Sequence, residues 1–150
     1  MFEHPETLAW PVLFLPLAAA VGITLFTLGH TRLSAWLSIG AVTLSFLLSS
    51  VLFISVPKEK GLLETSFSWL DVGGLQVDFG ARLDPLSLMM LLIVTGVGSA
   101  IHIYSFGYMR ADPGFSRFFA SMSLFMFSMI GIVLANNFLQ MFVFWELVGV

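Results

Sequence analysis

Four long stretches of this chain contain no Asp, Glu, Lys or Arg, and they decide what it can fold into. They run from Leu8 to Leu28, Leu33 to Val56, Pro85 to Met109 and Phe118 to Ala135. Each is about 18 to 25 residues, long enough for a helix rising 1.5 Å per residue to cross a hydrocarbon core of ~30 Å. A fifth apolar run follows Asn136-Asn137, from Phe138 to Val150; at about 13 residues and ~20 Å it is too short to cross. The runs are continuous rather than alternating and exceed the ~10 residues of a membrane strand, so they are helices, not barrel strands. Only 10% of the 150 residues are charged and 58% are apolar, whereas roughly a quarter of a soluble domain is charged. A soluble enzyme, a nucleic-acid binder and a disordered segment are excluded on that ground.

The expected fold is an all-α polytopic membrane protein: four transmembrane helices, a truncated fifth, and a small β-hairpin after helix two. Helices one and two occupy 1–56, an extramembrane loop 57–84, helices three and four 85–135, and the start of helix five 136–150. A helix stopping inside lipid leaves its last carbonyls without partners. The expectation is therefore an N-terminal piece of a longer protein, inactive alone, whose own remainder is one of its partners. With no cysteine, disulfides and thiolate metal sites are out. Met1 to Glu6 holds two acids and no Lys or Arg, the reverse of a secretory signal. Pro11 suits a first helical turn and Pro16 should kink helix one. Small residues recur at helical spacing on helix two (Ala41, Ser45, Ser49) and helix three (Gly96, Ala100), which lets backbones approach closely.

Within the polar loop, Phe67 to Val72 and Leu75 to Phe79 flank Gly73-Gly74, which reads as a hairpin with a two-residue turn. That turn pairs Val72 with Leu75 and Leu70 with Val77 on one apolar face, leaving Asp71, Gln76 and Asp78 toward water. The hairpin should lie across helix ends or a neighbouring subunit. Orientation is nearly silent: Arg32, Arg110 and Arg117 at one end balance Lys58, Lys60 and Arg82 at the other. The shorter loops carry the denser positive charge, and the hairpin loop adds five acids, which favours an outside N-terminus.

One carboxylate stands inside an apolar run. Glu146 lies eight residues after Phe138, about 12 Å along its helix and close to mid-core. An ionisable group there costs at least ~2.5 kcal/mol, which makes it a functional candidate by default. A carboxyl caught between burial, which favours the neutral form, and a nearby cation, which favours the charged form, loads and releases protons. No Lys or Arg stands in the apolar runs to serve as that cation, so it must come from further sequence, or Glu146 is neutral and inert. His102, on helix three before the interfacial Tyr104 and Tyr108, is a second candidate for proton transfer or else a structural hydrogen-bonder. Asp84-Pro85 has the chemistry of a helix cap followed by Pro at the first position. Asp112-Pro113-Gly114 is a turn, with Arg110 and Arg117 as interfacial anchors or lipid headgroup contacts. Met122, Met126 and Met129 read as packing. No phosphate loop, metal-ligand cluster or nucleophilic triad is present, so the chemistry on offer is proton movement.

These residues form an ordered series. Arg82-Leu83-Asp84-Pro85-Leu86-Ser87 is followed by His102-Ile103-Tyr104-Ser105, Tyr108-Met109 and Arg117-Phe118-Phe119-Ala120. Leu124 to Met129, Val133 to Asn137 and Trp145-Glu146-Leu147-Val148-Gly149 complete it. The series resembles the N-terminal part of subunit L of proton-pumping NADH-quinone oxidoreductase, complex I. The resemblance implies a longer chain with two inverted five-helix repeats, of which this sequence carries the lead-in and the opening. It implies that Glu146 is the proton-channel glutamate, paired in the family with a lysine two helices later, and that the N-terminus lies outside. Position 136 departs from the family, since many relatives have Asp there. An ionic role for that turn is in doubt, though either residue could cap helix five.

The expected function is that of a membrane-arm subunit translocating protons as NADH is oxidised by quinone, in a bacterial inner membrane or equivalent. The chain itself would hold no metal, cofactor or catalytic redox residue; NADH, flavin, iron-sulfur clusters and quinone belong to other subunits. Partners are the other membrane-arm subunits and the bilayer, not nucleic acid. The alternative is the large subunit of a multisubunit cation/proton antiporter. Asp84-Pro85-Leu86-Ser87 and Val148-Gly149 look more like complex I, because antiporter relatives more often carry Gly at the Pro position and Thr-Ser after Trp-Glu-Leu.

Overall fold

The computed structural model describes residues 4–57, 59 and 61–150; Lys58, Lys60 and the first three residues, Glu3 among them, lie outside that set. A 3₁₀ turn (Pro5–Leu8) leads into α1 (Ala9–Gly22), which ends in a π-helical turn at Ile23–Thr27. Helix α2 is Thr31–Ser55, the hairpin strands are β1 (Leu63–Val72) and β2 (Leu75–Leu83), and α3 (Pro85–Tyr108), α4 (Phe115–Leu134) and α5 (Phe138–Gly149) follow. The expected all-α membrane fold with one hairpin is what forms. Among the described residues, four segments are long and apolar enough to span a bilayer: Pro5–Thr27, Thr31–Ser55, Pro85–Tyr108 and Phe115–Leu134. Helix α5 has 12 residues, or about 18 Å.

Helices α2 and α4 meet across the centre, with α1 and α3 each packed against both, and α5 leaning on α4. Lipid gives no hydrophobic drive to bring helices together, so close approach and interhelical hydrogen bonds must do so. The buried face of α2 is accordingly a row of serines, Ser34, Ser38, Ser45 and Ser49. Ser38 and Ser123 of α4 share a 2.6 Å hydroxyl contact, and Ser38 also donates to the Phe119 carbonyl at 3.4 Å. On α3 the small-residue stripe differs from expectation. Ala100 is exposed, and the buried face runs through Thr95, Gly98, Ser99, His102 and Ser105.

Pro16 sits inside α1, which continues through it. Having no N–H, it leaves the Val12 carbonyl, four residues back, without its helical donor. The Ser45 hydroxyl of α2 donates to that carbonyl at 3.2 Å. Ser45→Ala should therefore destabilise the helix pair by about 1 kcal/mol. The cost should vanish in a Pro16→Ala background, where Val12 regains a backbone donor; heat denaturation of the purified single and double variants measures both.

The hairpin turns at Gly73 and Gly74, with φ of 60° and 89°, the left-handed pair that a two-residue hairpin turn needs and L side chains resist. Val72 pairs with Leu75, Leu70 with Val77 and Asp71 with Gln76, as the turn requires. The strands extend further than the sequence pattern suggested, with a bulge at Trp69 between Ser68 and Leu70. Its cause lies in the side chains. Without an extra residue, Leu63 and Phe67 would face opposite to Leu70 and Val72. With it, all four share one face with Val77, Phe79, Ala81 and Leu83. The base of that face is covered: Trp10 of α1 stacks on Phe79 (5.9 Å) and contacts Phe67 (5.7 Å), while Phe144 of α5 reaches Phe79 (5.9 Å). The hairpin thus lies across helix ends, and its tip, with Val72 and Leu75, is exposed.

Candidate functional site

Helix α5 begins where strand β2 can hold it. Asn137 is extended (φ −149°, ψ 163°) and its side-chain oxygen accepts the Gln140 N–H at 2.8 Å, which caps the helix. The cap therefore falls on Asn137, not on position 136. The Asn137 amide also donates to the Asp78 carbonyl at 2.6 Å and to the Asn136 side-chain oxygen at 2.8 Å. Three residues on, Gln140 is 1% exposed. Its side-chain oxygen accepts the Gly80 N–H at 3.0 Å, and its amide donates to the Gly80 carbonyl at 2.8 Å. A two-stranded sheet leaves both backbone groups of such a residue unpaired on its outer edge, and Gln140 supplies both missing partners. Residue 80 must lack a Cβ, which would stand 2.7 Å from Asn136 Cγ and 2.9 Å from Ser66 Cβ.

One helical turn after Gln140, Phe144 is buried against α4. Its ring contacts Phe127 (5.2 Å) and lies over Gly131, where a Cβ would stand 2.5 Å from ring atoms Cε1 and Cγ. Gln140 and Phe144 are the only buried residues among those of α5. Glu146 follows Phe144 by two residues, about 200° round the helix, so its side chain leaves on the opposite side. It is exposed, and no hydrogen bond or ion pair among the described residues reaches its carboxylate. It is also the one acid within α1 to α5.

The other candidates sit apart from it. His102 on α3 is fully buried. Its Nδ1 lies 2.7 Å from the Gly98 carbonyl and its ring 6.3 Å from that of Phe119. Its Nε2 has no partner among the described residues. No hydrogen bond, ion pair or ring contact joins His102 to Glu146. Tyr104 and Tyr108 stack on each other at 5.9 Å on an exposed face, and Met126 is core, set against Gly98. Arg110 lies over the Phe106 ring at 5.5 Å, and Arg117 is exposed. Among the described residues no group of three His, Asp or Glu could hold a metal.

Asp84 accepts the Ser87 N–H at 2.7 Å at the start of α3, before Pro85 at the first helical position. That bond holds its carboxyl below the ordinary carboxylate value, with Arg82, 3.5 Å away, adding to it. A pKa lowered by folding gives stability that is complete above the unfolded value of 3.8. That stability is lost as pH falls through the lower, folded value. Asp84→Ala should cost about 1 kcal/mol at neutral pH. Its penalty should shrink below that window, as thermal unfolding at pH 7 and pH 3 would show.

Sequence reasoning missed Gln140, Gly80, Gly131 and the Trp69 bulge. Gln140 did carry a signal: an amide inside an apolar run must find partners, because lipid offers none.

The description "NADH-Ubiquinone oxidoreductase (complex I), chain 5 N-terminus" matches residues 69–119. The chain is 42% identical, over 93% of its length, to NADH-quinone oxidoreductase subunit L of Mycobacterium tuberculosis, of which it covers 23%. It is 46% identical, over 77% of its length, to the chloroplastic NAD(P)H-quinone oxidoreductase subunit 5 of Zygnema circumcarinatum, of which it covers 16%. The fold also matches a chain in the structure of the Mrp complex from Dietzia sp. DQ12-45-1b, with a TM-score of 0.74 and 27% identity. That match covers 94% of this chain and 15% of the other. The chain thus spans about a quarter or less of the proteins it matches, and it belongs to the complex I subunit L (chain 5) family, whose N-terminal region it carries.

Proposed function

We propose that this chain forms the opening of a membrane-arm subunit that moves protons across an energy-transducing membrane, driven by electron transfer from NADH to quinone in other subunits. The observation that carries this is Glu146, a lone acid on an apolar helix, held by two anchors on one side and open on the other. In this reading the open side faces further helices of the full-length chain, including the family's lysine, whose withdrawal lets the carboxylate take up a proton and whose approach expels it. His102, whose Nε2 has no partner, is a lesser candidate for carrying protons. The chain supplies no cofactor ligand; its contacts are with lipid and with other membrane-arm subunits. The hairpin and the α4–α5 turn lie outside with the N-terminus, and the membrane is a bacterial inner membrane or its equivalent.

The likeness to an Mrp complex chain supports a second reading, a cation/proton antiporter subunit with no redox partner. One measurement separates them. Inverted vesicles carrying the full-length protein should acidify on NADH addition, with a proton-to-electron stoichiometry that falls in Glu146→Gln. Unchanged stoichiometry removes Glu146 from the mechanism, whereas a pH change driven by Na⁺ without NADH favours the antiporter.

A further inference from the structure

We propose that Gln140 is a positioning residue for Glu146: its paired bonds to the Gly80 N–H and carbonyl set the depth and rotation at which α5 presents the carboxylate. The proposal rests on the proton-relay reading of Glu146. Helix α5 is short, and its buried side chains are Gln140 and Phe144. Phe144 fixes how closely the helix approaches α4, but a ring packed over a glycine allows sliding and turning. Gln140 removes that freedom. Its two bonds, 3.0 Å and 2.8 Å, reach the backbone donor and acceptor of one residue, Gly80, so a shift along or about the helix axis breaks both. The Asn137 bond to the Asp78 carbonyl holds the first turn to the same strand.

Glu146 stands six residues beyond, about 9 Å along the axis and ~240° round it. A slip of one residue would move it ~1.5 Å and ~100°, off the open face. A residue that only bracing the hairpin required would leave the surroundings of Glu146 untouched, and that difference is measurable.

The test uses the full-length chain in its assembled complex, with Gln140→Leu and Gln140→Met beside wild type and Glu146→Gln. Both Gln140 variants keep much of the volume and lose the amide. The probe is a hydrophobic carbodiimide, which attaches to protonated carboxyls in apolar surroundings; its rate at Glu146 is read by mass spectrometry. The Glu146→Gln protein gives the blank for that peptide. We expect the labelling rate to change about threefold or more and proton translocation to fall about tenfold, with NADH oxidation continuing. An unchanged labelling rate in both variants overturns the positioning role, even where Glu146→Gln abolishes pumping. A changed rate together with normal pumping by Glu146→Gln upholds the positioning and refutes the relay reading. If neither variant accumulates while Glu146→Gln does, Gln140 is a folding determinant and the proposal fails.

Discussion

Glu146→Gln is expected to cut proton translocation through this chain about a hundredfold, the range in which positioned proton-transfer groups act. An amide keeps the size and shape of the carboxyl but takes up no proton in the accessible pH range, so packing is preserved and only titration is lost. Glu146→Asp retains an acid but withdraws it by one methylene, about 1.5 Å, and should fall between wild type and Gln. Glu146→Ala is a poorer comparison because it also removes volume. The proton-to-electron ratio in inverted vesicles, with NADH oxidation as the internal control, measures all three. Equal ratios for Gln and wild type would leave Glu146 an inert surface acid, which its exposure in these 150 residues would then suffice to explain.

Gly131→Ala should destabilise the helix pair by about 1–3 kcal/mol, the cost of forcing a methyl into a packed contact. Nothing about φ demands glycine there; the Phe144 ring does, since a Cβ would stand 2.5 Å from two of its carbons. The ring cannot retreat freely, because Phe127 and Phe79 hold it at 5.2 Å and 5.9 Å. Phe144→Leu should therefore relieve part of the penalty, so that the double variant is more stable than the sum of the single effects predicts. Thermal inactivation of the purified protein tests this. Additive losses would mean that contact with Phe144 is not what sets the distance between α4 and α5.

The helices were legible because uninterrupted apolar runs have one stable form in lipid, and the hairpin because Gly73-Gly74 stood between alternating strands. Features depending on distant residues were not. The bulge at Trp69 was half visible: Leu63 and Phe67 are odd-numbered, Leu70 and Val72 even, and only an added residue puts them on one face. Ala100 and Gly98 are indistinguishable by spacing alone; which faces α4 depends on the angle at which α3 packs. The π turn at Ile23–Thr27 has no proline or glycine inside it to announce it. Of the candidate site, Glu146 stood out in sequence because a charge in an apolar run costs energy, and Asp84 because capping is local. Gln140 escaped because its partner is 60 residues away and nothing about Gly80 looks like a receptor in sequence.

That separation bears on biogenesis. Strand β2 leaves the ribosome well before α5 and after the first two spans, so the hairpin can pair before α5 exists to grip it. The α4–α5 turn ends up on the same side because two further spans return it there. The early hairpin thus acts as a template, already waiting when α5 arrives. Damage to it, such as a side chain at position 80, would surface as faulty insertion of a helix not yet made.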